Sequence, residues 1–256
     1  MVAAVGIGLL IGLLLGLLGG GGSILAVPAL MYGVGQPLDQ AIPTSLLVIG
    51  LSALAGALAR MREGQVHWRL VAVFGVTGAA AAFAGTAVNA RLPVRAVLVG
   101  FAAVMIAAGV GMLRNAVPAG AVCTVTGGRI DWRRCLPRSA GSGVAVGFLT
   151  GLFGVGGGFL IIPALVLLLG LDMTAAVGTS LVIVVFNSAA GLTAHLGHAR
   201  IDVGIAVAFT AAAVVGALAA SRMGTRLPTA RLQRSFAYFV FAVAIFVLAQ
   251  ALFNSA

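Results

Sequence analysis

Lysine is absent from the chain, and only 5 acidic residues accompany its 15 arginines, so charged side chains make up 8% of 256 residues. Soluble domains carry roughly a quarter. With 61% hydrophobic residues and a mean hydropathy of +1.18, there is too little polar surface to face water, which excludes a soluble domain of normal size. The formal charge of +10 does not indicate nucleic acid, because the arginines cluster between apolar runs instead of lining a helix face. Lipid headgroups and the positive-inside rule account for loop arginines of this kind.

Other scarcities narrow the chemistry. The two cysteines, Cys123 and Cys135, lie in the single long polar stretch with no ligand-type histidine pair beside them, so they are read as incidental and no metal site or cofactor is expected. Asp39, Glu63, Asp131, Asp172 and Asp202 all fall in or beside loops. Mid-membrane acids are common proton or sodium carriers, and their absence favours an anion over a cation as cargo. His67, His195 and His198 lie at helix ends, where they read as interfacial polar residues; a proton relay is the alternative. The apolar start of the chain, Met1 to Leu18, has no cationic leader region and reads as a retained segment instead of a cleaved signal peptide.

What the chain has in abundance is hydrophobic runs, at about 2–18, 24–34, 41–59, 68–90, 95–113, 140–153, 159–171, 174–194, 201–221 and 234–253. Runs of ~20 residues are long enough to span a bilayer, and those near 12 are too short. The polar stretch divides the chain into a first repeat (1–114), a connecting loop (115–138) and a second repeat (139–256). Adding 135 to a first-half position lands on its counterpart without a gap: Gly16 on Gly151, Pro28 on Pro163, Thr44-Ser45 on Thr179-Ser180, and Arg91-Leu92-Pro93 on Arg226-Leu227-Pro228. Between Gly16–Gly56 and Gly151–Gly191, 16 of 41 positions are identical, and the matched Pro, Thr and Ser are uncommon residues here, so duplication explains the pattern.

Each half opens with a hydrophobic segment interrupted by glycines and closed by a proline, Gly19 to Pro28 and Gly154 to Pro163. Glycine costs ~1 kcal/mol in a helix interior relative to alanine, so these tracts are expected to break the helix. Irregular backbone at membrane depth must be packed inside protein or line a polar cavity. A full span at the start of each half would give eight crossings, with nine arginines facing six. A re-entrant hairpin there would give three crossings per half, inverted halves, and twelve arginines against three (Arg91, Arg95, Arg200). The positive-inside rule favours the hairpin, with both termini outside the cytoplasm. The expected fold is therefore an all-α integral membrane protein of two tandem, inverted repeats.

Inverted repeats with interrupted segments characterise secondary transporters, whose sites lie near the bilayer midplane. A half-helix starting at Ser23 or Phe159 would offer free backbone N–H groups to an anion. Tight helix packing is the alternative use of such glycines. The expected substrate-binding residues are Gly19, Gly21, Gly22, Ser23, Thr44 and Ser45, with Gly154, Gly156, Gly157, Gly158, Thr179, Ser180 and Asn187 in the second half. Pro28 and Pro163 are the expected helix breaks or hinges. The Thr-Ser hydroxyls are placed either to donate to an oxyanion or to cap the helix that follows, and Asn187 either touches substrate or bonds a neighbouring helix.

The paired Gly tracts with their prolines, followed by Ala41-Ile-Pro-Thr-Ser45 and Ala176-Val-Gly-Thr-Ser180, resemble the sulfite exporter TauE/SafE family over nearly the whole chain. The resemblance implies a multi-pass transporter of the cell's inner membrane moving small sulfur-containing anions such as sulfite, sulfoacetate or other organosulfonates. Its partners would be the small anionic substrate, the lipid bilayer and, as one option for coupling, a proton. Pro43 stands where the second half has Gly178, so the halves contribute unequally. An anion channel or a transporter of other small organic anions is the alternative. Further off stand an intramembrane enzyme built on Gly141-Ser142-Gly143 and a membrane scaffold.

Overall fold

The computed structural model describes residues 2–89, 91–114, 132–153, 158–195, 202–224 and 228–253. Within these the chain is helical: α1 (Val2–Leu18), α2 (Ser23–Pro28), α3 (Leu38–Arg62), α4 (Trp68–Asn89), α5 (Val94–Leu113), α6 (Trp132–Phe153), α7 (Gly158–Pro163), α8 (Met173–His195), α9 (Val203–Gly224) and α10 (Thr229–Phe253). Among the described residues, seven helices are long and apolar enough to cross a membrane. Their outward faces carry large bare side chains, among them Val76, Phe83, Val203, Val215 and Ile245. Water would not tolerate apolar surface on this scale, but lipid is its natural solvent. Two sequence expectations change: α6 begins at Trp132, so residues 132–138 belong to a helix and not to the connecting loop, and Cys135 is buried and disulfide-bonded instead of incidental.

The first Gly tract breaks the helix as expected. Gly19 takes φ +58° and Gly19–Gly22 form a 3-10 turn between α1 and α2. The chain then folds back along α1, with Gly22 against Ile11 and Leu15 and Gly33 against Ile7. The returning arm, α2 plus a π-helical turn at Ala29–Gly33, has 11 residues, roughly 17 Å at 1.5 Å per residue, too short to span. Pro28 and Pro163 do not break the backbone: both keep helical φ, −56° and −54°, and widen the turn that follows. A proline removes an N–H and crowds the carbonyl four residues back, which a π-helical turn accommodates.

The same pair of hydrogen bonds recurs 135 residues apart at the end of each short arm. Gln36 N–H donates to Leu30 and Gly35 N–H to Met31; at 135 residues' distance Leu171 N–H donates to Leu165 and Gly170 N–H to Val166. Gly35 and Gly170 take φ +79° and +72°, which only glycine adopts without strain.

The chain packs into two compact units that interleave the halves, one of residues 1–71 with 174–227 and the other of 72–173 with 228–256. In the first unit, Gly8, Gly12 and Gly16 of α1 press against Phe209, Ala213 and Ala217 of α9, with the two helices parallel. In the second unit, Gly143, Gly147 and Gly151 of α6 press in the same manner against Phe74, Gly78 and Ala82 of α4. Every residue in the second set is the 135-shifted partner of one in the first. Small residues one turn apart let backbones touch, the usual means of holding helices together where lipid supplies no hydrophobic drive. Also in the first unit, Leu46 packs on Gly191, Gly50 on Ser188 and Gly56 on Leu181, so the repeat-equivalent helices α3 and α8 run antiparallel. In the second, Gly109 meets Phe241 and Gln233 Nε2 donates to the Met112 carbonyl at 2.8 Å, so the equivalents α5 and α10 are antiparallel as well.

These contacts predict opposite signs for one substitution. A Cβ added at Gly12 would overlap the Ala213 backbone, whereas one added at Gly75 meets nothing within 4 Å. Gly12→Ala is expected to cost about 1–3 kcal/mol as overpacking, and Gly75→Ala to gain up to about 1 kcal/mol as helix propensity, read from thermal unfolding in detergent.

Candidate substrate-binding site

Buried polar side chains are concentrated in the first unit. Of the 13 found among the described residues, only Ser139 and Ser142 lie in the second unit, leaving 11 in the first. A polar group in hydrocarbon is costly and normally bonded, yet Gln36, Thr44, Ser52, His67 and Thr210 each keep a buried side-chain atom without a partner, as does Arg60 at Nε. These six residues all belong to the first unit.

The Thr-Ser pairs lie inside their helices and do not cap them. α3 starts at Leu38 and α8 at Met173, which places Thr44-Ser45 and Thr179-Ser180 in the second turn, beyond the free N–H groups. Ser45 Oγ donates to the Ile42 carbonyl at 2.7 Å, and Ser180 Oγ to Val177 at 2.9 Å. The threonines differ. Thr179 Oγ1 accepts the His67 N–H at 3.2 Å, while fully buried Thr44 has no partner for its hydroxyl. The loop carrying His67 also lays the Gln65 carbonyl against Gly178, where a side chain would not fit, and this is the position that Pro43 occupies in the other half.

Ser23 is buried as expected but its groups are spent locally. Its N–H and its hydroxyl both bond the Gly20 carbonyl, the hydroxyl at 2.6 Å. The 3-10 turn tightens the break enough to satisfy that N–H internally, so Ser23 offers no free N–H to an anion. Gly19, Gly21 and Gly22 are buried, and Gly22 packs on α1. In the second half Gly158 is buried at the start of α7, and Gly154, Gly156, Gly157 and His198 lie outside the described residues. Asn187 is half-buried on α8, and Ser188 next to it packs on Gly50.

Sequence reasoning missed Arg60, which it counted as a loop charge. It closes the last turn of α3 and is fully buried. Its Nη2 donates to the Gly16 carbonyl and its Nη1 to Gln65 Oε1, both at 3.1 Å, while Gln65 Nε2 reaches the Glu63 carboxylate at 2.7 Å. The guanidinium thus ties the end of α1, just before the Gly tract, to the loop that covers Thr179. Two signals were available: Arg60 follows directly on the apolar run ending at residue 59, and its 135-shifted partner is another ionisable residue, His195.

Polar groups buried along the helices that pack beside a broken membrane segment are what a solute-handling unit requires, and comparison with known proteins agrees. The sulfite exporter TauE/SafE family matches residues 4–247. The chain belongs to that family. It is 35% identical over 254 residues to a probable membrane transporter protein of Xylella fastidiosa strain Temecula1, covering 97% of this chain and 95% of the relative. To the probable membrane transporter protein YunE of Bacillus subtilis it is 31% identical over 216 residues, 77% of this chain and 79% of the relative. No solved structure matches it. Membership makes the chain a multi-pass membrane transporter with a small anionic substrate and not an enzyme, so Ser142, buried on α6, needs no role as a nucleophile. These relatives are bacterial, in keeping with a place in the inner membrane.

The unequal threonines of this TauE/SafE protein give a direct check. Thr179→Val leaves the part-buried His67 N–H unpaired and is expected to cost about 0.5–1.5 kcal/mol. Thr44→Val removes a hydroxyl with no partner, so thermal unfolding should show a change below about 1 kcal/mol in either direction.

Proposed function

We propose that the protein is a secondary transporter for small sulfur-containing anions, namely sulfite, sulfoacetate or other organosulfonates, and that its halves, 1–114 and 139–256 about the polar stretch, act as inverted repeats. The observation that carries the reading is the set of buried hydroxyl and amide groups left without partners in a unit made of apolar, bilayer-length helices. Such groups are expensive in hydrocarbon and are retained where a solute supplies the missing bonds. Hydroxyls and amides donate to sulfonate and sulfite oxygens, and the scarcity of buried carboxylates removes the groups that would repel them.

The antiparallel course of α3 against α8 and of α5 against α10 supports the inversion, because equivalent helices of a same-sense duplication would point the same way. An inverted pair offers two arrangements of similar energy, one open to each side, and exchange between them moves the solute. The two Gly tracts act at equivalent positions as the points where a short arm shifts against its long partner. In the Thr-Ser pairs, Thr44-Ser45 and Thr179-Ser180, the threonines supply the donors while each serine spends its proton on its own helix, and Asn187 adds an amide on the same helix as the second pair. A proton or the membrane potential is the driving force assigned to the anion.

Flux of labelled sulfite and short organosulfonates into proteoliposomes tests this. Saturable flux of at least one of them is expected in the wild type, with a loss of at least tenfold in Gly157→Leu and in Thr44→Val, the latter at unchanged stability, and a smaller loss in Ser180→Ala. Flux that does not saturate would identify a channel. No flux of any sulfur anion would overturn the substrate assignment.

A further inference from the structure

We propose that Arg60 supplies the permanent positive charge that selects anions in this site, with its Nε–H donating to an oxygen of the substrate; this rests on the transport reading above. Its guanidinium is fully buried, and both of its bonds go to neutral acceptors, the Gly16 carbonyl and Gln65 Oε1. The nearest acid in the sequence, Glu63, gives its carboxylate to Gln65 Nε2. Glu63 attracts the guanidinium from a distance, but no carboxylate among the described residues pairs with it directly, and Nε is left without an acceptor. A buried charge with one nitrogen left unbonded is unfavourable unless something anionic completes it. Arginine suits an oxyanion because its planar fork matches two oxygens at once and its charge persists at any physiological pH.

The location agrees with the chemistry. Gly16 opens the stretch that becomes the Gly break, and the loop of residues 63–67 ties Arg60 to Thr179 through Gln65 and His67. The residue therefore joins the break of one half to the Thr-Ser pair of the other within a single compact unit. Solute reaches it when that loop lifts, the kind of gating that alternating access requires. In the other half the equivalent residue is His195, which carries no permanent charge, so the anion is held asymmetrically. A purely structural role, closing the C-terminal end of α1 by its bond to Gly16, is the competing account.

The two accounts separate when stability and anion affinity are read together. Wild type, Arg60→Met, Arg60→Lys and Gln65→Glu are purified, and their thermal unfolding is followed against sulfite, sulfoacetate, phosphate and acetate. The wild type is expected to be stabilised by at least one of these. Arg60→Met should lose that stabilisation, and Arg60→Lys, which keeps the charge without the fork, should bind about tenfold more weakly. Gln65→Glu is the decisive variant, since it places a carboxylate beside the guanidinium while giving up the Gln65 bond to Glu63: the protein should still fold, and anion affinity should fall at least tenfold. Wild-type affinity in Gln65→Glu, or in a folded Arg60→Met, would overturn the inference. Should phosphate or acetate stabilise the wild type and the sulfur anions not, the substrate assignment fails while the same variants still decide on Arg60. A wild type that responds to no anion would overturn both.

Discussion

Backbone that leaves the helix inside a membrane must find its hydrogen bonds within the protein, and the rest of this structure follows from meeting that demand at the first glycine tract. At Gly19–Gly22 the chain tightens into a 3-10 turn, bonds Ser23 back to Gly20 and returns along α1, so the break faces protein instead of lipid. Shielding it requires helices close enough to exclude lipid. Gly8, Gly12 and Gly16 provide this by letting α9 touch the backbone of α1, and the same device recurs between α6 and α4. The small residues and the break are thus one design: the first permit the packing that the second requires.

Within that frame polarity is confined. The first unit holds most of the buried hydroxyls, the unpartnered amide of Gln36 and one buried guanidinium, while its membrane-facing surface is apolar. Rigid, backbone-to-backbone helix pairs surround groups whose bonding is incomplete, which is the contrast expected of a protein that must bind a polar solute and then release it. The 135-residue symmetry extends to individual hydrogen bonds, Ser45 to Ile42 and Ser180 to Val177, but fails at three places that matter: Gly178 against Pro43, Thr179 against the unpartnered Thr44, and Arg60 against His195. Packing contacts recur at this spacing while the polar chemistry differs.

Much of the fold was legible in the sequence because hydrophobic length, glycine tracts and a gapless duplication are local or one-dimensional signals. Spans, short arms and the break at Gly19 followed from them directly. The interleaving of the halves did not, since it depends on which helix packs on which; yet Gly8-Gly12-Gly16 and Gly143-Gly147-Gly151, spaced one turn apart, already marked the faces that touch. The Thr-Ser pairs were found, but their place in the second turn, past the capping positions, depends on helix starts that composition does not define. Arg60 was lost because an arginine at a span's end reads as a loop charge until the fold buries it.

The anion is proposed to be held in the first unit, beside the Gly16–Ser23 break. The most direct measurement is an experimental structure with selenite, a heavier relative of sulfite whose selenium scatters anomalously. A single strong peak is expected within hydrogen-bonding reach of Arg60 Nε and of the Thr179 side chain. A peak at membrane depth away from these residues, with Arg60 still bonded only to Gly16 and Gln65, would contradict it.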